Sequence, residues 1–138
     1  MALTFHPQRG SILFCDFTTG FVEPEMVKKR PIVVISGKHN GGIVSVVPLS
    51  TKPPEPKRDW HHLLSSDSLP HCLRKDDNWA KCDMLTAVAI TRLDRVMYRS
   101  GDGKRNYVSH KVNAADMDAI ESGILAALCM KRLTTKLT

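Results

Sequence analysis

The chain has 138 residues and a mass of 15.4 kDa, with 42% hydrophobic and 25% charged residues, 8 Gly and 8 Pro. This is a globular composition; it excludes disordered, collagenous and coiled-coil classes, and the length predicts a single domain over residues 1–138. The formal charge is +6, with 11 basic and 9 acidic side chains in residues 1–91 against 9 and 5 in residues 92–138, which suits phosphate-bearing or acidic partners and equally suits plain solubility.

In chain order, Arg9-Gly10 opens a strand over 11–17, with Ile12, Phe14 and Asp16 on one face and Leu13, Cys15 and Phe17 on the other. A loop with Gly20, Glu23, Pro24 and Glu25 follows. Arg30-Pro31 leads into the β-branched run 32–36, and 43–49 makes the next strand, close enough to form a hairpin across a turn at 37–42. Pro48 predicts that this strand ends at an edge or bulge. Prolines break the segment 52–59. A short strand at 60–64, a loop over 65–78 and a longer strand over 79–90, with Asp83 near its start, come next. Segments 94–99 and 105–110 pair across an Asp-Gly turn. The last element is a helix capped by Asn113 with Asp116 at its third position as a variant capping box. Met117, Ile120, Ile124 and Leu128 form its apolar face, and Lys131 and Arg132 its dipole-compensating end. The sum is a compact, mostly β barrel or curled sheet with a C-terminal helix.

No stretch approaches the ~18 apolar residues of a membrane span, and no long apolar run follows His6 and Arg9 as a secretory signal requires. A cytoplasmic location is expected. Cys15, Cys72, Cys82 and Cys129 are widely spaced. Cys15 and Cys129 read as buried thiols. His61, His62, His71, Cys72 and Cys82 are close in sequence but lack the paired spacing of structural zinc ligands, so no metal is assigned.

The chemistry-bearing positions are few. Arg30 is restrained by the following proline and enters the most apolar strand; pairing with Glu23 or Glu25 is the ordinary alternative. Ser50-Thr51 ends the neighbouring strand, so a hairpin brings this hydroxyl and the guanidinium to one rim, where they can bind and polarise a phosphate. A turn-forming Ser-Thr is the commoner event. Asp83 beside Lys81 suits a general base, an orienter of Arg30 or a surface ion pair. His61 and His62 form no recognisable dyad. The glycine-rich phosphate loop and the GxSxG and HExxH signatures are absent.

Taken in order, Arg9-Gly10-Ser11-Ile12, the run from Lys29 to Ser36, Val46-Val47-Pro48-Leu49-Ser50-Thr51 and Trp79-Ala80-Lys81-Cys82-Asp83 resemble the PemK/MazF family of toxins. So do Arg92-Leu93-Asp94, the Gly103-Lys104-Arg105 turn and the helix opened by Asn113. The resemblance runs from about residue 9 to residue 130. It implies an SH3-like small β barrel with helices (α+β), a homodimer, and a metal- and cofactor-independent endoribonuclease neutralised by a cognate antitoxin protein. The family's catalytic arginine falls on Arg30, its serine or threonine on Ser50 with Thr51 adjacent, and a later Arg-x-Asp on Lys81 and Asp83. Lysine at 81 departs from the pattern, since it lacks arginine's bidentate fork. Where some members carry a histidine after the first-loop glycine, Phe21 follows Gly20.

The implied reaction is attack by the ribose 2′-OH of single-stranded RNA on the adjacent phosphorus, with Arg30 stabilising the phosphorane charge and Ser50 aligning the phosphate. Lys28, Lys29, Arg92, Arg95, Lys104 and Arg105 are the expected lining of the RNA path. Two other classes share the fold. One is a CcdB-type gyrase-binding toxin, whose Trp-Gly-Ile ending this chain lacks; the other is an RNA-binding module without catalysis.

Overall fold

A computed structural model describes residues 3–37 and 41–134; part of the expected 37–42 turn lies outside the described residues. Strand β1 (Ile12–Asp16) pairs antiparallel with β2 (Lys29–Val34), and β2 with β3 (Ile43–Ser50). The hairpin is as expected, but β2 starts at Lys29 because β1 pairs with residues 29–33, while Ile35 and Ser36 lie beyond the strand.

β3 changes partner along its length. Its first half pairs with β6 (Thr86–Ala89), and Leu49-Ser50 pairs with β5 (Trp79–Lys81), which in turn pairs with β4 (His61–Leu63). The expected continuous strand over 79–90 is therefore two strands joined by a 3-10 turn, Cys82–Met84, and Asp83 sits on that turn. The same switch corrects the reading of Pro48. It lies inside β3, opposite Ile32, and is buried. On its other side it falls between the residues paired with β6 and those paired with β5, where a missing N–H costs no ladder bond.

The sheet runs in the order β4-β5-β3-β2-β1-β7 with β7 at Leu93–Asp94 and β6 branching from β3. No strand pairing joins β4 to β7 among the described residues, so the sheet is open where a barrel was expected. The class is mainly β with one C-terminal helix. A separate hairpin, β8 (Val96–Arg99) with β9 (Arg105–Val108), follows the expected pairing.

Alternation along the strands separates two cores. Ile12, Val33, Val47, Leu49 and Ala80 face a cluster completed by Met117, Ile120 and Ile124 of helix α1 (Ala114–Ala127). Leu13, Cys15, Phe17, Ile32, Val34 and Val46 face the other, over which Phe21 and Met26 pack. Burial pushes the Cys15 thiol up to about 12, the nearby Arg92 charge opposing. A thiol held so far above neutrality stays protonated and unreactive.

The helix differs from expectation at both ends. Asn113 caps it by accepting from the Asp116 amide at 2.7 Å, but the Asp116 carboxylate does not complete the expected box. It accepts instead from Ser65, Ser68 and His62. At the other end the helix stops at Ala127, Leu128 is 55% exposed rather than on the apolar face, and Cys129 is exposed with φ of 60°. Cys129 thus takes the left-handed position that usually ends a helix with glycine, which is why it is not the buried thiol its apolar setting implied. Lys131 and Arg132 fall on a later 3-10 turn, where Lys131 pairs with Asp59.

Gly123 is required by a close approach. A Cβ there would lie 2.8 Å from Cys82 Sγ and 3.3 Å from Cys82 Cβ, and Cys82 is 1% exposed. Overpacking of this kind costs about 1–3 kcal/mol, against roughly 1 kcal/mol gained from alanine's helix propensity. Gly123→Ala is expected to lower Tm, and Cys82→Ala is expected to rescue part of the loss. A thermal double-mutant cycle checks this; additive effects would contradict the contact.

Candidate active site

Arg30 pairs with Cys15 on one side. Extending the β2–β3 register two residues beyond Ile32–Pro48 places it opposite Ser50 on the other. Ser50 is in turn opposite Trp79 of β5. Directly opposed residues on antiparallel strands project to the same face with Cβ atoms about 5 Å apart. Ser50 and Trp79 are therefore directly opposed on the face away from α1, and Arg30 lies on the same face of the adjoining strand, where continuation of the register sets it across from Ser50. Lys81 lies two residues along β5 on that face, opposite His61 of β4.

Ser50 is 8% exposed, and its Oγ accepts from the Lys52 amide at 3.2 Å. Thr51 is exposed beyond the end of β3. The hydroxyl that shares a face with Arg30 is that of Ser50. Arg30 takes no part in an ion pair among the described residues, so the alternative of pairing with Glu23 or Glu25 is not what the structure shows; Glu25 instead accepts from the Val22 amide. The Arg30 Nε and the Trp79 Nε1 are both closed off from solvent with no hydrogen-bond partner.

Asp83 is exposed and lines a pocket of about 430 Å³ with Glu25, Phe17, Phe21 and Met26. No hydrogen bond or ion pair joins it to Arg30 among the described residues. The His61 imidazole is held below its ordinary value, chiefly by burial and also by Lys81, with Asp83 acting against them. Its Nδ1 accepts from the Arg58 amide at 3.0 Å, which leaves the neutral ring's proton on Nε2.

The basic residues divide into two groups. Lys29, Arg92 and Arg95 line one hollow of about 440 Å³ together with Asp16 and Asp94. Lys28 is exposed beside it, whereas Lys104 and Arg105 are exposed at the β8–β9 turn and line no part of the hollow. Arg95 stacks on Tyr107 at 3.8 Å. Arg92 is half-buried and holds the first loop: it donates to the Asp16 carbonyl at 3.0 Å and the Thr19 carbonyl at 2.8 Å, and lies 4.8 Å from the Phe21 ring. Gly20 has φ of +82°, and a Cβ there would sit 3.1 Å from Arg92 Nη2, so glycine is needed at that point. Phe21 packs edge-on against Phe17 at 5.1 Å.

A second polar cluster lies on the helix side. His62 Nε2 is 2.8 Å from Asp116 Oδ1, while Ser65 N, Ser65 Oγ and Ser68 Oγ donate to Oδ2 at 2.9, 2.7 and 2.5 Å. Burial alone would raise the Asp116 carboxyl, but the bonds from Ser68, His62 and Ser65 outweigh it and hold it at about 2. The cluster ties α1 to β4. Histidines 61 and 62 thus face opposite sides of the sheet, and among the described residues no three His, Cys, Asp or Glu side chains gather as metal ligands would.

Sequence reasoning missed Trp79 and His61 as members of the Arg30 face. Period-2 alternation puts Trp79 and Lys81 on one side, but only the β3–β5 and β4–β5 registers reveal which side that is.

The chain is similar to known proteins at two levels. A family model described as PemK-like, MazF-like toxin of type II toxin–antitoxin system matches residues 8–128. The uncharacterized protein YifN of Escherichia coli (strain K12) is 37% identical over 114 residues, covering 69% of this chain and 76% of that protein. An uncharacterized protein of Haemophilus influenzae is 30% identical over 133 residues, covering 88% and 92%. Among solved structures, MazF from Deinococcus radiodurans aligns with a TM-score of 0.64 at 14% identity, covering 91% of this chain and 99% of that one. The Mycobacterium tuberculosis toxin MazF-mt6 aligns with a TM-score of 0.57 at 14% identity, covering 86% and 96%. The two structures share the fold, and the match over residues 8–128 shows the family: the chain belongs to the PemK/MazF-like toxins of type II toxin–antitoxin systems.

Proposed function

We propose that this chain is an endoribonuclease toxin that cuts single-stranded RNA by attack of the substrate's own 2′-OH on the neighbouring phosphorus. The observation that supports this best is that Arg30 and Ser50 lie on one face of adjoining strands, with the guanidinium in no ion pair among the described residues. In-line attack by a 2′-OH calls for alignment and for charge stabilisation on the phosphorane oxygens. Ser50 supplies the first and Arg30 the second. DNA, lacking the 2′-OH, is inert. Lys29 and Arg95 suit the flanking phosphates, and Lys28 adds charge beside them.

The active unit is a homodimer confined to the cytoplasm, and its partner is the cognate antitoxin. A disordered acidic tail suits the same basic face, so inhibition is expected to compete with RNA and to weaken as salt rises. No helix among the described residues is long and apolar enough to cross a membrane.

The test is incubation of purified protein with a long single-stranded RNA in EDTA, followed by mapping of the ends. Discrete cuts at an undiminished rate are expected. Intact RNA, or cutting that returns only with a divalent ion, overturns the reading, and inhibition of gyrase by an RNA-inert protein would favour the CcdB type. Within the same assay, Ser50→Ala is expected to lower kcat/KM about tenfold or more by losing one hydrogen bond to a charged group. Thr51→Ala, altering an exposed side chain beyond the strand, is expected to stay close to wild type; the reverse order would move the catalytic hydroxyl to Thr51.

A further inference from the structure

The face that holds Arg30 and Ser50 does not stop at Ser50. Trp79 lies on it as well, directly opposite Ser50 on β5. Its indole Nε1 is buried without an acceptor, as is the Nε of Arg30 on the other flank. A buried donor left unpaired costs on the order of 1–3 kcal/mol. Folded chains pair nearly all such groups, and each exception calls for a physical reason.

Four such atoms occur among the described residues, His6 Nε2, Arg30 Nε, Asn78 Oδ1 and Trp79 Nε1, and two of them belong to the strands on either side of Ser50. None of Arg30, Ser50 and Trp79 is itself an anionic acceptor; of the acids nearest Trp79 in sequence, Asp77 is exposed on the preceding loop and Asp83 sits on the following turn, lining a pocket that includes none of the three. A set of N–H and O–H donors is complementary to a group that only accepts, above all a phosphate. The residue types suit this division of labour. Arg30 contributes charge, Ser50 a short hydroxyl, and Trp79 a neutral donor that does not compete by binding a carboxylate of its own. Packing alone explains an aromatic ring at 79, but it does not explain a buried indole N–H without an acceptor, a penalty that a phenyl ring would avoid.

We infer that Trp79 is a third phosphate-binding group of the site, its indole N–H donating to a non-bridging oxygen of the phosphate held by Arg30 and Ser50. This rests on the proposed ribonuclease reading for the identity of the ligand, but the anion-binding claim stands apart from it. When the phosphate arrives, the orphaned N–H gains a charge-assisted bond. That bond strengthens as negative charge builds on the phosphorane oxygens, so its contribution falls on the chemical step more than on binding.

Two measurements test this. The first follows the indole N–H resonance of Trp79 by 15N NMR while inorganic phosphate is added, with Trp60→Phe used for assignment, since the chain has two tryptophans. A saturable downfield shift that disappears in Ser50→Ala is expected; a resonance that does not move overturns the proposal. The second compares Trp79→Phe with wild type. The phenyl ring keeps the aromatic packing and removes only the donor, so Tm is expected to hold or rise while kcat falls tenfold or more. A variant that cuts at the wild-type rate, or one that loses Tm and keeps kcat, would make Trp79 a packing residue and overturn the proposal. If wild type cuts no RNA at all, the ribonuclease reading fails, and the phosphate titration alone decides whether Trp79 binds an anion.

Discussion

Replacing Arg30 with alanine is expected to reduce RNA cleavage about 10²–10³-fold, the usual cost of deleting one group that stabilises transition-state charge. The fold should survive. Arg30 forms no ion pair among the described residues, and its Nε has no hydrogen-bond partner, so truncation strands no acceptor. Its loss should act mainly on kcat, because the charge it meets develops on the phosphorane rather than on the bound phosphodiester. Arg30→Lys keeps the charge without the planar fork and should recover only part of the rate. Single-turnover kinetics beside circular dichroism of each variant makes the check. An Arg30→Ala protein that is folded and cuts at the wild-type rate would remove Arg30 from the mechanism.

The second large effect concerns stability and lies on the opposite face. Asp116→Ala removes the acceptor shared by Ser65, Ser68 and His62, and Ser68 is fully buried. Stranding buried donors of a charged hydrogen-bond cluster costs about 3 kcal/mol, which for a chain of this length lowers Tm by on the order of 10 °C. The pH dependence carries the sign of a depressed carboxyl. Asp116 is held at about 2 against its ordinary 3.8, so its contribution is fully present above 3.8 and is lost as pH falls from there through about 2. At about 1.4 kcal/mol per unit the contribution is on the order of 2 kcal/mol. Thermal melts of wild type and Asp116→Asn between pH 2 and pH 6 should therefore converge at the acid end. Curves that stay parallel would show that the carboxylate charge is not what holds α1 to β4. Cleavage per folded molecule should be unchanged well below Tm, because the cluster is on the helix side of the sheet.

Much of the fold is legible in the sequence, and the boundary has a physical cause. The β-branched strand, the hairpin to 43–49 and the capped helix from Asn113 are set by local pattern and short loops, and each is present, the first shifted from 32–36 to Lys29–Val34. The hairpin alone is enough to set Arg30 and Ser50 at one end of adjoining strands, because two adjacent strands fix each other's rims. What the chain does not display locally is which distant strand each segment meets. The break of 79–90 at Cys82 follows from β3 exchanging β6 for β5, and the tolerance of Pro48 follows from the gap between them. Trp79 joins the site through the same long-range pairing. Asp116 departs from its expected role for a related reason: a capping box uses a local partner, whereas three partners from residues 62–68 outcompete it once β4 lies against the helix. Cys129 follows an apolar helical pattern that the left-handed residue itself ends.

One substitution in the substrate tests the central claim most directly. Once a cut site is mapped, an RNA carrying a single 2′-deoxy nucleotide on the 5′ side of the scissile phosphate is offered beside its all-ribose counterpart, both in EDTA. Attack by the 2′-OH predicts that the all-ribose strand yields a 5′ fragment ending in a 2′,3′-cyclic phosphate or its hydrolysis product, and that the deoxy strand remains whole. Cleavage of the deoxy strand at an undiminished rate would show that water or a protein group is the nucleophile, and would contradict a mechanism in which Arg30 and Ser50 serve attack by the substrate's own hydroxyl.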